Sequence, residues 1–139
     1  MDKPFRLLPE LTQLSRPFWT NGFRGSLAVL RCGYCGYYIH PPVPRCPACL
    51  SQSVEPAGVS GNARVATYTV NHHSWNPTMP ERYVIALVEL VEQPDIRLMT
   101  NIVHCDPNSV YIGMPVQVVF EEDEDVALPL FEPDTETVG

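Results

Sequence analysis

The chain has 139 residues, 45% of them hydrophobic, and a formal net charge of −7, which suits one compact unit or two small ones. The charge is uneven: residues 1–64 hold seven basic against three acidic side chains, and residues 65–139 hold two against thirteen. No dense basic stripe exists to displace counterions from a nucleic acid, no apolar run reaches the roughly 18–20 residues that span a bilayer as a helix, and fifteen prolines disfavour long helices.

Met1–Leu14 lacks the apolar core of a secretory signal and reads as an extended or loosely ordered arm with Pro4 and Pro9. Ser15 is predicted to N-cap a short helix over Arg16–Arg24, which Gly25 stops. Phe18, Trp19 and Phe23 fall near one face of that helix; they either cover the neighbouring modules or meet a partner chain.

Leu27–Arg31 leads as a strand into Cys32-Gly33-Tyr34-Cys35, and Tyr37–His40 returns. Pro41, Pro42 and Pro44 then hold the chain extended up to Cys46-Pro47-Ala48-Cys49. The spacing is C-x2-C-x10-C-x2-C. Each C-x-x-C turn places two thiolates on one side, and two turns complete a tetrahedral S4 site with no open position, which suits one structural zinc and not catalysis. Two disulfides or a redox C-x-x-C are the alternatives for the same cysteines. His40 reads as an ordinary ribbon residue because four cysteines already fill the site. Cys105 is left over, and the pattern as a whole fits a reducing, cytoplasmic setting.

After Ser51 the chain turns to short strands. Val65–Val70 is β-branched and aromatic, Tyr83–Leu90 is apolar on both faces, and Ile96–Val103 alternates with Ile96, Leu98, Thr100 and Ile102 on one side. Asp106-Pro107-Asn108 and Ile112-Gly113-Met114-Pro115 are turns, and Val116–Phe120 alternates. Glu121–Asp125 reads as a solvated hairpin tip, Val126–Phe131 as the last strand, and the chain from Glu132 as a disordered tail. Five short strands in some seventy residues predict a small closed barrel.

A catalytic set is missing from this pattern. There is no nucleophile elbow and no glycine-rich phosphate loop after a strand. Cys105 reads as a small buried hydrophobe, and His72, His73 and His104 make only a weak case for an acid–base or metal site. The loop Asn71-His72-His73-Ser74-Trp75-Asn76 is the richest binding segment outside the cysteines, since Trp75 can stack on a ring or fill a partner's pocket.

Several motifs in this order resemble the DUF35 family of zinc-ribbon and OB-fold proteins associated with acyl-CoA enzymes. They are Arg16-Pro17-Phe18-Trp19, Arg31-Cys32-Gly33-Tyr34-Cys35-Gly36, His40-Pro41-Pro42, Cys46-Pro47-Ala48-Cys49, Val59–Val65, Val84–Leu90 and Ile112-Gly113-Met114-Pro115-Val116. Asn62 departs from the pattern, where a glycine or charged residue is expected. The resemblance covers roughly residues 15–131 and implies a mainly β fold: an N-terminal arm and short helix (1–26), a rubredoxin-like zinc ribbon (27–54), a five-stranded OB-fold barrel (55–131) and a tail (132–139). It implies Zn2+ on Cys32, Cys35, Cys46 and Cys49. It further implies an accessory subunit, non-catalytic by itself, in a hetero-oligomer with a thiolase-fold enzyme. That partner is an acyl-CoA aldolase (a carbon–carbon lyase) of steroid side-chain degradation, or else a thiolase or HMG-CoA synthase system, with a MaoC-type hydratase as a further associate. On this reading Phe18, Trp19 and Phe23 form the partner interface, and Arg45, Arg64, His72, His73 and Trp75 are the contacts to CoA or the partner. An OB-type nucleic-acid binder and an independent enzyme are the competing classes, and the acidic charge counts against the first.

Overall fold

The computed structural model describes residues 11–72, 82–93 and 95–134. A short helix, α1 (Arg16–Thr20), continues as a 3-10 turn over Asn21–Arg24, and Gly25 ends it in the left-handed conformation at φ 75°. Ser15 stands at the N-cap as predicted, but its hydroxyl does not cap the helix. One of the two residues whose N–H would be capped is Pro17, which has no N–H to give. Ser15 Oγ instead accepts from the backbone N–H of Thr12 at 3.0 Å.

The strands β1 (Leu27–Cys32), β2 (Tyr38–Ile39) and β3 (Val54–Val59) make an antiparallel sheet in the order β2-β1-β3. Sequence reading misses β3, because Pro56 and Gly58 speak against a strand; an edge position accommodates both. The domain boundary expected between residues 54 and 55 therefore falls inside a strand, and the ribbon's sheet runs on to Val59.

The second sheet closes on itself. The strands β4 (Asn62–Asn71), β5 (Tyr83–Leu90), β6 (Arg97–Ile102), β7 (Pro115–Asp123) and β8 (Val126–Pro133) run around a barrel in the order β4-β5-β6-β8-β7, with β7 paired back to β4. All pairings are antiparallel except β6 with β8, which meet in parallel at Ile102 and Phe131. This is the five-stranded OB-type barrel, and with the ribbon and helix it gives the mainly β architecture expected. A bulge between Val65 and Thr67 re-phases β4. Before it Ala63 and Val65 point inward; after it Tyr68 and Val70 pack on the core instead. Val84, Ala86, Val88 and Leu90 of β5 and Leu98, Thr100 and Ile102 of β6 face the interior with Val116 and Phe131. The buried hydroxyl of Thr100 donates to the carbonyl of Pro129 at 3.0 Å, which meets a polar need at the loosely paired β6–β8 seam.

Strand β8 is buried from Val126 through Phe131 without alternation, because α1 and the 3-10 turn cover its outer side. Gly22 makes that approach possible. A Cβ there would stand 2.4 Å from Phe120 Cδ1 and 2.7 Å from Ala127 Cβ. Phe18 is 8% exposed and belongs to the same core as Leu27, Val29 and the barrel interior. Its ring meets Trp19 edge-on at 4.7 Å and His40 of the ribbon at 4.6 Å. The helix is thus the wedge between ribbon and barrel, and Phe18 turns inward, taking the covering role of the two open to it and not the partner-facing one. The acidic run divides: residues 121–123 finish β7, and Glu124-Asp125 is the turn. The tail expected from Glu132 begins later, since Glu132 and Pro133 are in β8. Residues 1–10 and 135–139 lie outside the described residues, as do His73 and Trp75.

The turn between β5 and β6 reaches across to the ribbon. The Gln93 side chain donates to the carbonyl of Tyr38 at 2.9 Å and accepts its N–H at 3.0 Å, closing the free edge of β2. Tyr37 donates its hydroxyl to Asp95, and Glu92 accepts the N–H of Ser60 at 2.7 Å.

Candidate metal centre and partner surface

The metal centre is built from two turns of the same design. Cys32 ends β1, and the chain reverses through Cys32-Gly33-Tyr34-Cys35, with Gly36 at φ 81°. The second turn, Cys46-Pro47-Ala48-Cys49, reverses through Leu50 at φ 66°. The backbone bonds repeat: Gly36 N–H donates to Cys32 O at 3.0 Å and Leu50 N–H to Cys46 O at 2.8 Å, while Cys32 N–H donates to Tyr37 O and Cys46 N–H to Ser51 O, both at 2.9 Å.

The four sulfurs lie within 4.8 Å of one another. Cys32 and Cys49 are 3.6 Å apart, as are Cys35 and Cys46, too far for a disulfide in either case. Backbone N–H groups of Tyr34 and Cys35 point at Cys32 Sγ (3.3 and 3.4 Å), and that of Ala48 at Cys46 Sγ (3.4 Å). Foremost the Cys35 N–H brings the pKa of Cys32 down to about 6, against its burial. At Cys49 the Ser51 N–H favours the thiolate, yet burial and the sulfurs of Cys35, Cys32 and Cys46 together push the pKa up to about 12. Four thiolates so close repel one another unless a cation stands between them, and a divalent metal fits that donor set. Cys32, Cys35, Cys46 and Cys49 are clustered to hold one structural zinc, with all four positions supplied by sulfur.

The other expected contact residues scatter. Arg64 is exposed on β4 beside a shallow recess with Glu89, Leu90 and Val91. His72 is exposed just past the end of β4. Arg45 sits on the ribbon, where its Nη1 donates to Leu50 O at 2.9 Å. The structure does not bring these three together with Phe23, which is 43% exposed on the helical wedge. The outer wall of the barrel is the second face of the two-faced strand Tyr83–Leu90, the face that the sequence marks as needing a cover. Ile85 and Leu87 of β5 are half-buried there, and Met99, opposite Leu87 on β6, is 75% exposed. The signal was present in the two-faced apolar pattern of Tyr83–Leu90; only Met99 was unmarked.

His104 and Cys105 follow β6. His104 has φ 62°, and its Nδ1 meets Glu132, whose other oxygen accepts from Gln117 Nε2 at 3.0 Å. The His104 contact first, then Gln117, holds the Glu132 carboxyl below the usual range. Cys105 packs partly buried against the barrel core, in line with its reading as a small hydrophobe.

Two family profiles match the chain: "ChsH2, rubredoxin-like zinc ribbon domain" over residues 24–55 and "ChsH2, C-terminal OB-fold domain" over residues 58–121. A DUF35 domain-containing scaffold protein of Methanocaldococcus jannaschii is 38% identical over 109 residues, covering 73% of this chain and 74% of the scaffold. The chain belongs to the DUF35 family. A probable enoyl-CoA hydratase alpha subunit of Thermomonospora curvata is 41% identical over 84% of this chain. The 3-oxo-4,17-pregnadiene-20-carboxyl-CoA hydratase alpha subunit of Mycobacterium tuberculosis is 31% identical over 96%. This DUF35 chain spans only 36% and 42% of the length of those two relatives. Among solved structures, a chain of the "Ltp2-ChsH2(DUF35) aldolase" superposes with a TM-score of 0.81 at 35% identity, covering 91% of this chain and 98% of that one. No described helix is long and apolar enough to cross a membrane.

Proposed function

We propose that the chain is a non-catalytic accessory subunit that binds a thiolase-fold aldolase acting on acyl-CoA, with a steroid side-chain thioester as the substrate class, and helps hold the CoA portion. The observation that carries this reading is the likeness, over nearly its full length, to a chain of the "Ltp2-ChsH2(DUF35) aldolase". The chemistry agrees with it. The metal centre is closed by four sulfurs and leaves no position for a substrate. Phe23, the barrel wall around Met99, and Trp19, which lies half-buried on the helix, are the surfaces we assign to the partner. Arg64 and His72, with His73 and Trp75, are the groups assigned to CoA or the partner. A cytoplasmic location belongs to the same proposal.

A second reading, association with a MaoC-type hydratase, is favoured by the two hydratase alpha subunits that contain a similar segment. A thiolase or HMG-CoA synthase partner is the remaining variant. The test is co-expression with a candidate aldolase, thiolase or hydratase, followed by size exclusion and an acyl-CoA cleavage or hydration assay. A partner that co-elutes and loses activity without this chain identifies the class. Candidates that elute alone and are fully active defeat the accessory-subunit reading.

A further inference from the structure

The two cysteine turns share one more feature, which lies outside the metal's ligands. Each is preceded by an arginine, Arg31 before Cys32 and Arg45 before Cys46. Each arginine reaches over its turn to the carbonyl of the residue five positions on: Arg31 Nε donates to Gly36 O at 3.0 Å, and Arg45 Nη1 donates to Leu50 O at 2.9 Å. Gly36 and Leu50 are the residues in the left-handed conformation that turn the chain back. The two clamps are therefore the same bond made twice, at equivalent places around a two-fold repeated site.

The clamps are not equally stressed. Gly36 adopts its φ of 81° freely. Leu50 is a γ-branched side chain at φ 66°, 63% exposed, with little packing to compel that conformation. The Leu50 N–H is fixed by Cys46 O and its carbonyl by Arg45, so the residue after Cys49 is held from both sides. Arg31 has a second anchor in the Tyr38 ring, 4.6 Å from its guanidinium carbon. Guanidinium suits this place. It is planar, permanently charged and weakly hydrated, so it can hold a backbone carbonyl in a fixed direction at an exposed turn.

We infer that Arg31 and Arg45 are positioning residues of the zinc centre. They lock the left-handed residue that closes each cysteine turn, and Arg45 is the more critical because it restrains Leu50. Outer groups that orient metal ligands are commonly worth one to two orders of magnitude in affinity.

The experiment uses the zinc-loaded full chain and a chromogenic chelator, with zinc release followed at fixed pH. A parallel Co2+-substituted sample reports ligand geometry through its visible absorption. Arg45→Ala is expected to release zinc about 10-fold faster than wild type and to shift the Co2+ bands, with Arg31→Ala changed less. Leu50→Gly placed in the Arg45→Ala background is expected to recover most of the loss, since glycine needs no restraint there. Arg45→Lys keeps the charge without the fork and is expected to fall between. Should Arg31→Ala fail to fold, the Arg45 series alone decides. Release from Arg45→Ala within about twofold of wild type overturns the inference, as does an equal effect of Arg45→Ala with and without Leu50→Gly. Full rescue by lysine overturns the geometric part.

Discussion

In the ribbon, the buried local core is Leu30, Cys32, Ile39 and Cys46, and two of those four are metal ligands. Among the described residues, sixteen buried side chains from Phe18 to Phe131 form one cluster, all of them hydrophobic; it takes in the barrel, the helical wedge and, from the barrel-facing start of β1, Leu27 and Val29. The barrel can rest on transfer of apolar surface from water. The ribbon has too little of it, and its two turns hold four mutually repelling sulfurs. The lesson is that one short chain uses two sources of stability, joined by the Phe18 wedge and the β5–β6 turn. A perturbation should therefore declare which source it touches.

Metal removal separates the two most sharply. Chelation, or Cys46→Ser, is expected to unfold the ribbon and leave barrel amides protected. Structural zinc in small modules supplies on the order of 10 kcal/mol of apparent folding free energy. Hydrogen exchange read by mass spectrometry checks this, and elemental analysis of the native chain should give one zinc. Loss of protection in both modules together would show that the barrel, too, rests on the metal. Acid should act in the same direction, since protons compete with zinc for all four thiolates. Phe131→Ala attacks the other source. That side chain is fully buried where β6 meets β8, and its removal should cost about 3–5 kcal/mol in denaturant melts while the zinc content stays at one.

The same contrast governs what could be read from the sequence. The S4 site was legible because thiolate chemistry fixes spacing locally. The strands of the barrel were legible where alternation or a long apolar run persisted, as in Tyr83–Leu90. The β4 bulge was not, because Ala63 and Val65 and then Tyr68 and Val70 obey two phases that only the partner strands reveal. The β3 strand was hidden by Pro56 and Gly58. Phe18 was legible as apolar with two roles open, covering the modules or meeting a partner, since three aromatics on one short helix look alike until β8 arrives more than a hundred residues later. Arg45 was read as a contact for CoA or a partner; its bond to Leu50 O depends on a backbone conformation that no local pattern announces.

The joint between the two regions is expected to be weaker than either core. Gly22→Ala puts a methyl group into Phe120 and Ala127 and should cost about 1–3 kcal/mol, the usual penalty of overpacking. Tryptophan fluorescence should report the wedge leaving β8 through Trp19. His40 gives the joint a pH dependence. It is half-buried against Phe18, and burial lowers its pKa from the ordinary 6.5. The neutral form is the one the fold accepts, so this contribution is fully present above pH 6.5 and is lost as the pH falls toward the lower folded value. His40→Phe, which keeps the ring contact, should flatten that acid limb relative to wild type at matched zinc content; an unchanged limb would place the titration elsewhere.

The smallest effect is expected at the point farthest from both sources of stability in chemical character, the β7–β8 hairpin. Glu122 is exposed opposite Ala127, and Glu124 is exposed in the turn at φ 54°. Exchanging both for glutamine removes two charges from a run of five acids without altering size or backbone preference. Repulsion within the run falls, and solvation of the charged groups is given up in nearly equal measure, because exposed charges interact through water. The net change in stability should lie within about ±0.5 kcal/mol. Chemical denaturation at low and high salt checks it, and the two conditions should agree more closely in the variant than in wild type. A loss of several kcal/mol would mean that the hairpin belongs to a buried network or an interface, and the division between a metal-held ribbon and a hydrophobically held barrel would need a third region.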